Sequence, residues 1–103
     1  MIVLGSRQVS RVTFILEVFE AGSSDMCLER IFYFDYLDEV SRSEIILQEP
    51  EEFFERIDNF DLRMQDEGYE IESEDDISTP SEHRTWMLRK FYKLKQPREQ
   101  DIN

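Results

Sequence analysis

Cys27 and His83 are the only residues of their kinds in this 103-residue chain, so any nucleophile–base chemistry must start from them. Nucleophilic catalysis places a nucleophile beside a base. Cys27 stands between Met26 and Leu28 at the start of a strand-like run, the setting of a small half-buried thiol. His83 stands in a polar loop between Glu82 and Arg84, the setting of a solvated side chain. Carboxylates are abundant, but a catalytic pair needs one acid raised in an apolar pocket. Here the acids cluster with one another on segments that read as solvated. Two groups have the density of a cation site: Asp35, Asp38 and Glu39, and Glu72, Glu74, Asp75 and Asp76. Neither follows the D-x-[DN]-x-[DN]-G loop with a later Glu that calcium requires. The chain has no phosphate-binding G-x-x-x-x-G-K-[ST], no G-x-G-x-x-G and no C-x-x-C. No catalytic residue, metal or cofactor is therefore expected.

What the sequence does carry is charge. Twelve basic residues face 24 acids, a net charge of −12. Charge of this sign repels nucleic acid and anionic membranes and favours solubility. The excess is segregated: Asp35 to Asp76 holds 17 acids against Arg42, Arg56 and Arg63, while Arg84 to Arg98 holds six basic residues and no acid. The single cysteine excludes an internal disulfide and suits a reducing, cytoplasmic setting. The opening "MIVLG" is too short for a signal peptide or a spanning helix.

The elements that must position these charges can be read from periodicity. Residues Val9 to Glu20 alternate, with Val12, Phe14, Leu16 and Val18 on one face and Arg11, Thr13 and Glu17 on the other. That is a half-buried strand. The turn chemistry of "AGSSD" leads into "MCLERIFYFDYLDE", where Leu28, Phe32, Phe34 and Tyr36 alternate with Glu29, Tyr33 and Asp35. Val9–Asp38 thus reads as one long hairpin, followed by a short strand at Ser43–Gln48. Glu49–Gly68 reads as a helix. Pro50 suits its first position, Glu51 and Glu52 suit its first turn, and Gly68 suits its stop. Phe53, Ile57, Phe60 and Met64 form its apolar stripe. "YEIE" and Arg84–Lys95 alternate again, joined by the loop "DDISTPSEH". Trp86, Leu88, Tyr92 and Leu94 face one way in the last strand. Pairing the two sets Glu70, Glu72 and Glu74 against Arg89, Lys90 and Lys93, a self-neutralising hairpin. The tail from residue 96 has little to bury and is expected to be mobile.

The expected fold is α+β: a β-β-β-α-β-β chain making an antiparallel sheet of about five strands, with one amphipathic helix on one face, in one domain spanning residues 1–95. At helical spacing Glu51, Glu55, Asp58 and Asp66 lie opposite the apolar stripe, with Leu62 among them. Together with Asp35, Asp38 and Glu39 they form the expected contact surface for a basic protein partner. The corresponding role is that of a non-enzymatic inhibitor or regulator. Mimicry of nucleic acid is a special case, because helical acids come about one per 5 Å where a DNA strand carries a charge per ~3.4 Å. The competing expectation is an assembly subunit that forms a homodimer through a sheet edge or face, since Ile15 and Phe19 put apolar groups on the second face of the first strand. A small enzyme comes third.

Direct contact with DNA is not expected at this net charge. A gel shift with duplex DNA at low salt should show no complex at micromolar protein, and a retarded band there would overturn the electrostatic reading.

Overall fold

The structure is a computed structural model that describes residues 1–21, 24–47, 52–77 and 84–95. Among the described residues, seven strands and one helix follow in the order β1 (Val3–Leu4), β2 (Arg7–Gln8), β3 (Arg11–Ala21), β4 (Ser24–Asp35), β5 (Asp38–Leu47), α1 (Glu52–Asp66), β6 (Tyr69–Ile77) and β7 (Arg84–Leu94). The five long strands form one antiparallel sheet in the order β5-β4-β3-β7-β6. The helix packs on one face of that sheet, so the α+β architecture is as expected. Because β5 and β6 are the two edges, the chain crosses the whole sheet through α1.

Three elements differ from the sequence reading. The first is the two-residue hairpin β1–β2, turned at Gly5 (φ 62°). Two-residue strands are too short to show a period, so alternation could not reveal them. The second is β5, which begins at Asp38 rather than Ser43, because "DEVSRS" alternates weakly and gains its strand geometry by pairing with β4. The third is β6, which continues through Ile77, so Asp75 and Asp76 are strand residues rather than loop. Their cross-strand partners Arg89 and Leu88 hold them there. Pro50, Glu51, the remainder of the loop with Pro80 and His83, and the expected mobile tail lie outside the described residues.

The core forms where the even-numbered residues of β3 meet the helix stripe. Val12, Phe14, Leu16 and Val18 are buried, as are Phe53, Ile57, Phe60 and Met64. Phe60 stacks on Phe14 with ring centroids 4.5 Å apart and meets Tyr92 edge-on at 5.5 Å. Such aromatic geometry adds to the area buried. From β4 the core receives Cys27, Ile31 and Tyr33, and from β7 Leu88 and Tyr92. This is the side of β4 that carries Glu29 and Tyr33, not the side with Leu28, Phe32 and Phe34. The more apolar face of β4 looks away from the helix.

The ends of the helix are fixed locally. Gly68 takes φ 90°, and Glu67 and Gly68 donate to the carbonyls of Arg63 and Gln65. Only glycine adopts that conformation without a Cβ penalty. Hairpin β1–β2 closes the same end of the core. Ile2 N–H donates to the Tyr69 hydroxyl (3.1 Å), which donates to the Val9 carbonyl (2.6 Å).

The helix orientation has a measurable consequence. Phe60→Ala and Phe53→Ala should each lower stability by about 3–5 kcal/mol, as buried phenylalanine truncations do. Glu55→Ala should stay within about 0.5 kcal/mol. Chemical denaturation of the three variants checks this, and equal losses would mean that the helix is turned.

Candidate functional site

The helix is seated on the sheet by charge as well as by its apolar stripe. On one flank Arg56 forms a two-pronged pair with Glu29 of β4, donating from Nη2 at 2.8 Å and also from Nε. Glu29 is only 3% exposed, so this carboxylate sits inside the core layer with Arg56 as its counter-ion. The Glu29 bond in turn holds the Arg56 guanidinium above its ordinary pKa. Arg63 reaches the Tyr33 hydroxyl on the same flank (3.4 Å). On the other flank Asp61 accepts from Lys90 Nζ of β7 at 2.6 Å and from the Tyr92 hydroxyl. Burial, and then the bond to Asp61, push the Tyr92 phenol well above its ordinary range. Charged groups tolerate burial only when paired in this way.

Rotation is thereby fixed, and with it the outer face. Glu55, Asp58, Leu62 and Asp66 are all exposed, and Leu62 is 59% accessible. Glu52 and Phe54 are exposed beside them. Among the described residues Glu52, Glu55, Asp58 and Asp66 make no ion pair. Glu52 and Glu55 stand in the first turn, where the helix dipole favours them. Asp66 stands in the last turn, where the dipole disfavours it. Glu51 lies outside the described residues.

The other expected acids are placed differently. Asp35 and Asp38 flank the turn between β4 and β5 and both bind Arg7, at 2.8 and 3.0 Å. Glu39 binds Arg42 at 2.9 Å. These three acids lie at one end of the sheet and are not joined to the helix face. Arg7 was missed as their partner because nothing in the sequence marks β2, the element that carries it.

The acidic β6 and basic β7 pair as the sequence suggests. Glu70 stands opposite Lys93, Glu74 opposite Lys90 and Asp75 opposite Arg89. Arg89 reaches Asp75 at 2.8 Å and Lys93 reaches Glu70 at 3.8 Å. A bulge between Ile71 and Ser73 turns Glu72 toward Arg11 of β3, at 3.8 Å. Lys90 is the exception, because its side chain turns under the helix to Asp61. The sign change along the chain is thus largely an internal pairing.

Catalytic geometry has little to start from. Cys27 is fully buried, and burial, reinforced by the charge of Glu29, pushes its thiol up to about 11. The thiolate, the reactive form, is therefore scarce at neutral pH. Among the described residues no group of three or more His, Cys, Asp or Glu is arranged to hold a metal ion. A groove of about 260 Å³ lies between Thr13, Phe34, Tyr36, Glu72 and Phe91, and contains no nucleophile–base pair. No described helix is long and apolar enough to cross a membrane.

The seating of the helix can be tested through Arg56. Arg56→Ala strands Glu29 in the core layer and should destabilise by ~3 kcal/mol, the lower end for a broken buried pair, because Arg56 is itself one-third exposed. Arg42→Ala, at a more exposed pair, should change stability by less than about 1 kcal/mol. Urea denaturation of both variants distinguishes them, and similar small losses would mean that the Glu29 pair does not seat the helix.

No family model matches this sequence, and searches of curated proteins and of solved structures gave no match.

Proposed function

We propose that this protein is a non-enzymatic binding protein whose acidic helix face docks on a basic surface of another protein, in a reducing compartment such as the cytoplasm. The observation that carries this reading is the contrast between the acids of α1 and those elsewhere. Most acids of the sheet have a cation within reach. Glu55, Asp58 and Asp66 have none among the described residues, Glu52 feels only the charge of Arg56, whose guanidinium is bonded to Glu29, and Leu62 stands exposed in their midst. Unpaired surface acids add little to stability. Several on one face steer a basic partner and raise its association rate. Leu62 and the neighbouring Phe54, 71% exposed, supply apolar area for such a contact.

The partner class follows from the charge. Binding should be fast and should weaken as salt rises. A basic protein, including one that itself binds nucleic acid, fits this face. Mimicry of a phosphate backbone is less favoured. The helix acids are spaced too widely for it, and Asp35, Asp38 and Glu39 are engaged with Arg7 and Arg42. The role is then to cover or regulate the partner's basic surface.

Replacing Glu55, Asp58 and Asp66 together by Lys should abolish binding to a basic protein captured at low salt while leaving the melting temperature nearly unchanged. The neutral triple Gln variant should slow association and flatten its salt dependence only in part. Changing Glu70 and Glu72 to Gln should leave binding intact and lower stability by less than about 1 kcal/mol, because their pairs with Lys93 and Arg11 are exposed. Normal binding by the Lys variant, or loss of binding confined to the Glu70/Glu72 variant, would move the functional surface to β6.

A further inference from the structure

We propose that two copies of this chain associate through the sheet face that points away from α1. This goes beyond the helix face and does not depend on it. Phe19, Met26, Leu28 and Met87 lie together at one end of that face, paired across β3, β4 and β7. Ile46 of β5 stands opposite Leu28 and is 61% exposed. Phe32, Phe34 and Phe91 line the other end, with Arg42 over the Phe32 ring at 5.2 Å. Among the described residues no element covers this surface. A face this apolar on both ends is unusual for a sheet side left to water.

Charge indicates the occupant. Among the described side chains the face carries five cations: Arg11, Arg30, Arg42, Arg89 and Lys93. Each is ion-paired within the face, to Glu72, Glu17, Glu39, Asp75 and Glu70 respectively. Only Glu44 remains without a hydrogen bond or ion pair there among the described residues. The face is therefore almost neutral, on a chain whose net charge is −12. A strongly basic or acidic partner finds no complementary excess on it. Two copies of the chain repel each other through every acidic surface, and least through this one.

The central row is also incomplete. Glu44, Arg30, Ile15, Arg89 and Asp75 align across all five strands. Nε of Arg30 and Nε of Arg89 are buried in that row with no hydrogen-bond partner. These two donors are enclosed within the row, so the apolar ends of the face, rather than the row, supply the contact with a second copy. The area suffices as well. Five strands ~4.8 Å apart and about ten residues long present roughly 800 Å² per copy, or about 1,600 Å² in all, the standard size of a stable interface.

Sedimentation equilibrium over a concentration series tests this. The wild-type chain should sediment at about 25 kDa, twice its 12.5 kDa mass. Salt should strengthen the dimer by screening repulsion between two acidic chains, the opposite of its effect on a basic partner bound at α1. Ile46→Glu, at an exposed position, should weaken the dimer at least about tenfold with an unchanged melt, since each dimer carries the change twice. Leu62→Glu on the helix should leave it unaltered, which separates failure here from failure of the helix reading. A wild-type monomer at about 100 μM would overturn the proposal, since interfaces of this area bind in the μM range or tighter. So would an Ile46→Glu dimer of normal affinity, or a dimer weakened by Leu62→Glu. A monomeric chain that loses capture of a different protein on Ile46→Glu would assign the face to that protein instead.

Discussion

The structure depends on how two charged pairs seat an amphipathic helix in an apolar layer. Arg56 reaches Glu29 on β4, and Asp61 reaches Lys90 and Tyr92 on β7, so the helix is held from both flanks. A hydrophobic stripe alone tolerates some rotation, because apolar contacts are not directional. Charged hydrogen bonds are directional and, once buried, expensive to leave unmade. They settle which residues of α1 meet Phe14 and Leu16 and which meet water. The acidic outer face is thus a result of the same pairing that makes the core.

That seating divides the charge of the chain into two unlike surfaces. Most cations go inward to the helix–sheet contact or into pairs along the open sheet face. The surplus of acid is left on the outside of α1. The molecule therefore offers one strongly negative, mostly polar face and one nearly neutral, apolar face, on opposite sides of a single sheet. A contact of the kind proposed for the first would weaken as salt rises, and one of the kind proposed for the second would strengthen.

Much of this was legible in the sequence wherever one side chain type repeats at a fixed period. Val12, Phe14, Leu16 and Val18 declared β3, and Phe53, Ile57, Phe60 and Met64 declared the inward face of α1. Gly68 marked the helix stop, and the acid-then-base run marked the β6–β7 hairpin. Reading failed where tertiary pairing overrides local character. Glu29 looks like a solvent residue, and only a cation arriving from 27 positions away makes it a core residue. For the same reason the core side of β4 is its less apolar side. Asp61 and Phe54 lie on the flanks of the helix, where a period of 3.6 does not say which strand will stand beneath them. Short elements such as β1 and β2 hold no period at all. The acidic face itself was legible, except that Asp35, Asp38 and Glu39 seemed available until Arg7 and Arg42 were placed beside them.

The strand order β5-β4-β3-β7-β6 puts β3 and β7 side by side in the middle, although they are far apart in the chain. Hairpins β3–β4 and β6–β7 are local and can form early, on the microsecond scale of such turns. Joining them requires closing a loop of more than 60 residues, an entropic step taken before the central contacts reward it. During synthesis the core stays open until Leu94 has left the ribosome. Until then the growing chain exposes an unpaired edge of β3 and the apolar stripe of α1, the state in which it is most open to aggregation.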